Sequence, residues 1–443
     1  MRMARTGLAL LLAAALLAAC SKVPTREVGS GATNLPATAP ATVSTIRVMV
    51  SGGSDLDALI SAYYDKYPND RVEKVNPFTG AGSISLTDVT KEKIERGEID
   101  VITYISPDLI AENKVVPLDP FIQKSNFDLA PFGSALDSLR HEGKLYELPY
   151  RIYPSLLLYN KEMFQQAGIT PPAEGWTWDD LRVAAQKLTR GEGDQKVWGF
   201  SPEFADSVLS IYLSQSGQDY RQAYQDEQFI KDAFQLFGTM VQVDQSMPKA
   251  QRRSEDGGPI YSRDDFVQGK AAMTVANVSN LSFMFGGQQK IQYDAAPVPV
   301  RPGGKMSSQA YPQSFGIAAN SPNQEAAWRF ISFVTGPEGA AILAKAGVVP
   351  VHNSPAVKSA WFERDPAPPP GTETLFDTTW ELGVRSSTDS TPMSGVELER
   401  FQQLTRTVRD SLNAVMAGEK SWEDGFAEYQ RALKEFQSAS TGS

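Results

Sequence analysis

Residues 148–189, LPYRIYPSLLLYNKEMFQQAGITPPAEGWTWDDLRVAAQKLT, constrain the fold more than any other stretch of the chain. The apolar run Leu156, Leu157 and Leu158 predicts a strand. Gly168, Pro171, Pro172 and Gly175 then predict a turn-rich segment, because glycine and proline punctuate regular structure. Thr177 with Asp180 three residues on forms a capping box, and Leu181, Ala184, Ala185 and Leu188 line one face of the helix that follows. A strand feeding a loop and an amphipathic helix is a unit of α/β architecture.

The chain before it repeats the pattern. Residues 45–50 (TIRVMV) form a β-rich run, followed by Ser51-Gly52-Gly53-Ser54. Ser54 and Asp57 make a second capping box, and Leu56, Leu59, Ile60 and Tyr63 recur at helical spacing. A strand near 71–75, a helix through Lys91 to Arg96 ending at Gly97, and a strand over 100–104 complete a β-α-β-α-β order. That order predicts a mainly parallel sheet with helices on its faces. At 443 residues the chain is long enough for two separate cores. Helices are also expected over 229–241, from Ser321 through Val334, along Phe401 to Val415, and over 423–436. No internal repeat at a period of about 20–50 residues is visible.

The N-terminus reads as a secretory signal over residues 1–19, with Arg2 and Arg5 ahead of an apolar stretch too short to span a bilayer. It ends in Leu17-Ala18-Ala19-Cys20, which resembles the lipobox of bacterial lipoproteins. The resemblance implies a diacylated Cys20, attachment to the outer face of the cell membrane through that lipid, and a flexible tether over 20–44, rich in Ser, Thr, Ala, Pro and Gly. The net charge of -10 and the absence of a basic run exclude a nucleic-acid partner. His141, His352 and Cys20 are the only residues of their types, which excludes a His/Cys metal centre and a Cys/His nucleophile and leaves an oxygen-ligand metal site open. No phosphate-cradling glycine loop and no nucleophile elbow is present, and nothing calls for a cofactor.

Several blocks occur in the order of one family. Tyr159-Asn160-Lys161 with Phe164 and Gly168 resembles its "YNKxxFxxxG" element, and Trp178-Asp179-Asp180-Leu181 its "TWDEL" helix start. Val116-Pro117-Leu118-Asp119-Pro120-Phe121 resembles its "PLDPF" turn; the preceding Glu98-Ile99-Asp100 lacks the usual proline. Phe266 through Met273 resembles "FxxGKAAM", but Ala276-Asn277-Val278-Ser279-Asn280 stands where relatives carry a tryptophan. Ala326 through Val351 resembles "AAWxFIxFxTxPEG...GxxPV". The family is the family 1 extracellular solute-binding proteins, which hand solutes, mostly sugars, to ABC importers.

The resemblance implies a two-lobed periplasmic-binding-protein fold of type II, like maltose-binding protein. Each lobe would be a mainly parallel sheet flanked by helices, with chain crossings near 150, 296 and 336. Lobe 1 would comprise 45–150 and 297–336, and lobe 2 would comprise 151–296 and 337–443. It further implies a monomer without catalysis that closes on a saccharide by hinge motion and is recognised by permease subunits. Sugar sites combine aromatic planes with oriented polar groups. Strand-end and crossing positions that supply them are Ser51, Ser54, Tyr104, Tyr150, Arg151, Tyr153, Trp198, Glu203, Phe204, Asn277, Ser279, Tyr311 and Ser314. Core packing competes for each aromatic, and a salt bridge across the hinge competes for Arg151.

Two other readings stay open. The missing tryptophan leaves room for a non-sugar solute such as a polyamine, peptide or anion. The acidic pairs Asp264-Asp265 and Glu203 with Asp206 could flank a glycosidic bond in a glycan-cleaving enzyme.

Overall fold

The computed structural model describes residues 43–50, 55–77, 86–103, 105–202, 205–218, 220–251, 264–278, 291–304, 307, 312–365, 367–368, 370–376 and 395–440. The predicted signal, Cys20 and the tether lie outside them. Strands β1 (Ser44–Met49), β2 (Asp70–Val75) and β3 (Val101–Thr103) alternate with the helices Asp55–Lys66 and Leu86–Glu95, in the predicted order. β1 pairs parallel with both β2 and β3, as strands joined through helices do. A hairpin of β4 (Arg140–His141) and β5 (Lys144–Leu145) leads into β6 (Leu148–Ile152). The later strands are β7 (Ser155–Asn160), β8 (Trp198–Phe200), β9 (Ala271–Asn277), β10 (Tyr293–Ala296), β11 (Pro312–Ile317) and β12 (Val349–Pro350). Among the described residues they build one six-stranded sheet in the order β12-β6-β11-β3-β1-β2 and one four-stranded sheet in the order β10-β7-β9-β8.

Each sheet is the centre of a lobe, and the α/β, two-lobed architecture is the expected one. The strand directions need correction. Among the described strands, parallel pairing occurs in β3-β1-β2 and in β8 against β9. β11 and β12 pair antiparallel with β6, β11 pairs antiparallel with β3, and β7 pairs antiparallel with β9 and β10. The sheets are mixed because these strands enter from a crossing or a return, not from a strand-helix-strand unit.

The stretch at 148–189 holds more structure than its sequence announces. β6 and β7 lie in different sheets, although only Tyr153 and Pro154 separate them. Leu157 packs in the core of the second lobe, whereas Leu156 and Leu158 pack in the other large apolar cluster. A strand covered on both faces needs apolar side chains at every position, which is why this one reads as a continuous run. The segment after it, read as a loop, contains the helix Lys161–Ala167, capped by Asn160 and ended by Gly168 at a φ of 63°. Seven residues are too few to display a helical period. The helix Trp178–Leu188 begins with the predicted capping box between Thr177 and Asp180.

The crossings also differ from expectation. After β10 the chain stays with the second lobe. Val300 exchanges backbone hydrogen bonds with Trp176 and Trp178, and the Arg301 guanidinium lies 4.0 Å from the Phe229 ring centroid. The return to the first sheet is complete by Pro312. No crossing occurs at 336. Gly336 caps the helix Pro337–Lys345 directly after the helix Gln324–Thr335, and β12 then pairs with β6 of the first sheet. The apolar residues Leu343, Val349, Val357 and Trp361 belong to the same cluster as the first sheet. The helices Gly395–Met416 and Trp422–Ser440 join the second core through Leu404, Val408, Leu412 and Tyr429.

A buried carboxylate holds the first sheet together. Asp100 is fully buried and accepts from Arg47 Nε at 2.9 Å, Arg47 Nη2 at 2.9 Å, the Arg47 backbone N–H at 2.8 Å and Ser321 Oγ at 2.7 Å. Burial works to raise its pKa, but the hydrogen bonds from Arg47 and Ser321 outweigh it and hold the carboxyl below its usual range. Removing one partner of such a pair leaves the other charge uncompensated. Asp100→Ala should therefore cost about 3–5 kcal/mol in urea unfolding. A depressed carboxylate pKa contributes stability above the unfolded value of about 3.9 and loses it as pH falls through the folded value. The acid limb of the stability profile should accordingly flatten in the variant.

Candidate functional site

The link between the sheets is short and tied down on both sides. On the first-lobe side, Arg151 of β6 lies opposite Gln313 of β11 and Pro350 of β12. Gln313 Oε1 accepts from Arg151 Nε at 2.7 Å and from the Tyr150 hydroxyl at 3.1 Å. Tyr150 also stacks on Phe315, with ring centroids 4.4 Å apart and planes 16° from parallel. On the second-lobe side, Asn277 Nδ2 donates to the Tyr153 carbonyl at 2.7 Å, and the Val278 N–H donates to the Pro154 carbonyl at 2.9 Å.

Between these anchors lies the Arg151 guanidinium, 5.1 Å from the Tyr150 ring centroid and 4.9 Å from that of Tyr153. Aromatic faces attract a cation, the more so where water is excluded. Arg151 is only 9% exposed. Burial draws its pKa below the ordinary arginine value, with the neighbouring Tyr153 working in the opposite direction. An arginine remains charged through any such shift. The arrangement therefore presents a desolvated planar cation, oriented by one amide and two phenol rings, where the chain passes between lobes. Hydroxyl-rich or anionic groups suit such a fork.

Ser314 follows Gln313 across an irregularity in the β11–β6 pairing and is 2% exposed. Its Oγ is buried without a hydrogen-bond partner. Trp198 does not join this group. It pairs with Ala271 at the start of β9, whereas Asn277 ends that strand. Six residue steps at about 3.3 Å each put the two ends about 20 Å apart. Trp198 instead lies under Lys196, 5.0 Å from its ring centroid, and lines a separate 1080 Å³ pocket of the second lobe with Lys249 and Lys270. Ser51, Ser54, Tyr104, Glu203, Phe204, Ser279 and Tyr311 lie outside the described residues.

Sequence reasoning missed Gln313, Phe315, Pro154 and His352. Gln313 carried a usable signal, a lone amide within the strand Pro312–Ile317. Phe315 looked like core. Its role as the plane beneath Tyr150 depends on two strands far apart in sequence.

The comparisons with known proteins bear on the family and the fold. The family described as bacterial extracellular solute-binding protein matches residues 48–341. The chain belongs to that family. A binding protein of Brucella abortus (strain 2308) is 25% identical over 206 residues, which cover 44% of this chain and 47% of that protein. The chain thus spans about half the length of the curated relatives it matches. Among solved structures, a sugar transporter from Rhizobium etli in an open conformation aligns with a TM-score of 0.67 at 22% identity, covering 88% of this chain and 99% of the other. A maltose-bound protein of T. maritima aligns with a TM-score of 0.63 at 21% identity, over 88% and 99%. At these identities the structures establish the shared fold.

His352 sits two residues beyond β12, 4% exposed, with its Nδ1 buried and unpartnered and its ring edge-on to Phe132 at 5.5 Å. Burial lowers its pKa below the usual histidine value, and Asp128 opposes the shift. A depressed histidine favours the fold while neutral, so the contribution is present above the unfolded value of about 6.5 and is lost as pH falls toward the folded pKa. The melting temperature should fall on acidification below about pH 6.5, and His352→Phe should remove that part of the slope when melting is followed by circular dichroism.

Proposed function

We propose that this protein is the extracytoplasmic substrate-binding component of an ABC importer, anchored by a lipid on Cys20. It takes a sugar or oligosaccharide between its lobes and delivers it to permease subunits. One observation carries the reading: in a solute-binding chain, the two-residue crossing gathers Tyr150, Arg151 and Tyr153 into an aromatic-cationic cluster at the junction of the sheets. Phenol rings match the C–H faces of a sugar, and a guanidinium matches its hydroxyls. The sugar transporter of Rhizobium etli and the maltose-bound protein of T. maritima support the ligand class.

Ser314 belongs to the same site in this reading. Ser51, Ser54, Tyr104, Glu203, Phe204, Ser279 and Tyr311 are the further ligand contacts of this reading. Binding rather than catalysis is the activity. Closure follows because a ligand touching both lobes has a higher affinity for the shut state.

A thermal-shift screen against mono- and oligosaccharides, amino acids, polyamines and anions tests the assignment. A ligand at 100 times its dissociation constant adds about 2.7 kcal/mol to the native state. A saccharide should raise the melting temperature and be recovered unchanged. A shift with an amine or anion alone, or cleavage of a glycan, would overturn the sugar-receptor reading. Arg151→Lys keeps the charge and removes the fork. It should weaken saccharide binding by about 1.5 kcal/mol or more in calorimetry, the scale of a hydrogen bond to a charged group.

A further inference from the structure

The crossing at Tyr153 and Pro154 is held by unlike means on its two sides. Toward the first lobe, β6 is a central strand flanked by β11 and β12, and the Val351 N–H adds a bond to the Tyr150 carbonyl at 3.3 Å. Toward the second lobe, Ser155 opens β7 opposite Asn277, the last residue of β9. The Tyr153 carbonyl lies outside both sheets' ladders, and the Asn277 side chain reaches back to it at 2.7 Å. Pro154 has a φ confined near -65°, and a residue before proline is restricted to extended backbone. Few torsions are left to carry rotation between the lobes.

The ring of Tyr153 rests against Arg151, which is fixed to the first sheet through Gln313. Rotation at the crossing must therefore change the Tyr153–Arg151 contact. The Asn277 amide, by holding the Tyr153 carbonyl to the second lobe, decides where that ring lies when no ligand is present.

We propose that Asn277 is the positioning residue of the hinge: its side-chain amide sets the unliganded angle between the lobes and keeps Tyr153 against Arg151. This rests on the reading of the crossing as the hinge of a ligand-binding cleft. One N–H of the Asn277 amide is bonded to the hinge carbonyl, so in this proposal Asn277 acts through Tyr153. It raises affinity by restricting the open ensemble, since the apparent affinity is reduced by the fraction of molecules that are not binding-competent.

The test measures lobe separation in the unliganded protein, so it does not depend on finding the ligand. Spin labels at Lys124→Cys, on the first lobe, and Lys187→Cys, on the second, report the inter-lobe distance in a Cys20→Ser background. Asn277→Asp keeps the shape but cannot donate to the Tyr153 carbonyl. It should at least double the width of the distance distribution while leaving the melting temperature within a few degrees. Pro154→Ala should broaden it as well by freeing a torsion. With a saccharide from the screen in hand, Asn277→Asp should weaken binding about threefold or more, and the labels should return to the wild-type closed distance at saturation. A wild-type distribution in Asn277→Asp and Pro154→Ala overturns the proposal. So does an unaltered distribution with lost affinity, which would make Asn277 a direct ligand contact. Should Asn277→Asp fail to fold, Asn277→Ala, which also removes the donor to the Tyr153 carbonyl, decides in its place.

Discussion

The constraint on which the structure depends is the two-residue passage from β6 to β7. The two sheets are joined where Ile152 ends a strand of one and Ser155 begins a strand of the other. So short a link cannot sag or drift. It places whatever flanks it at the lobe junction, and what flanks it is Tyr150, Arg151, Tyr153 and Pro154. Burying an arginine would be costly unless its environment compensated for the water it loses. Gln313 and two phenol faces supply compensation, and the same groups fix the direction of the guanidinium. Structural support at the junction thus comes from the same cluster that the proposed ligand site would use.

The lobes differ in how they reach stability around this link. The first sheet is stitched by buried polar contacts: Asp100 with Arg47 and Ser321, and Asp70, 3% exposed, with Arg329 and the Tyr63 hydroxyl. The second lobe relies on helices packed on a four-stranded sheet, with an aromatic cluster of Trp178, Tyr212, Phe229 and Phe237 at its centre.

Much of the local structure of both lobes was legible in sequence. The Thr177 capping box, the apolar strand at Leu156 to Leu158 and the β-α-β-α-β order each follow from neighbours within a few residues. The mixed strand directions were not legible, because they depend on whether a strand returns from the same lobe or from the other. The fate of the chain after Gly336 was hidden for a related reason. A glycine between two helices looks the same whether the next helix stays or crosses, and only the pairing of Val349 and Pro350 with β6 decides it.

The sequence by itself determined the family, the α/β class, the start of the Thr177-capped helix and the position of the main crossing, because these rest on periodicity, capping and short ordered motifs. It also brought Tyr150, Arg151 and Tyr153 forward as a group. Only the tertiary structure decided what each does. Gln313 lies more than 160 residues from Arg151, yet fixes its orientation. Asn277 is more than 120 residues from Tyr153, yet holds its carbonyl. Trp198, the aromatic that composition recommends for a sugar, falls at the far end of β9. Contacts between distant strands set these roles, and no local pattern records which strand ends will meet.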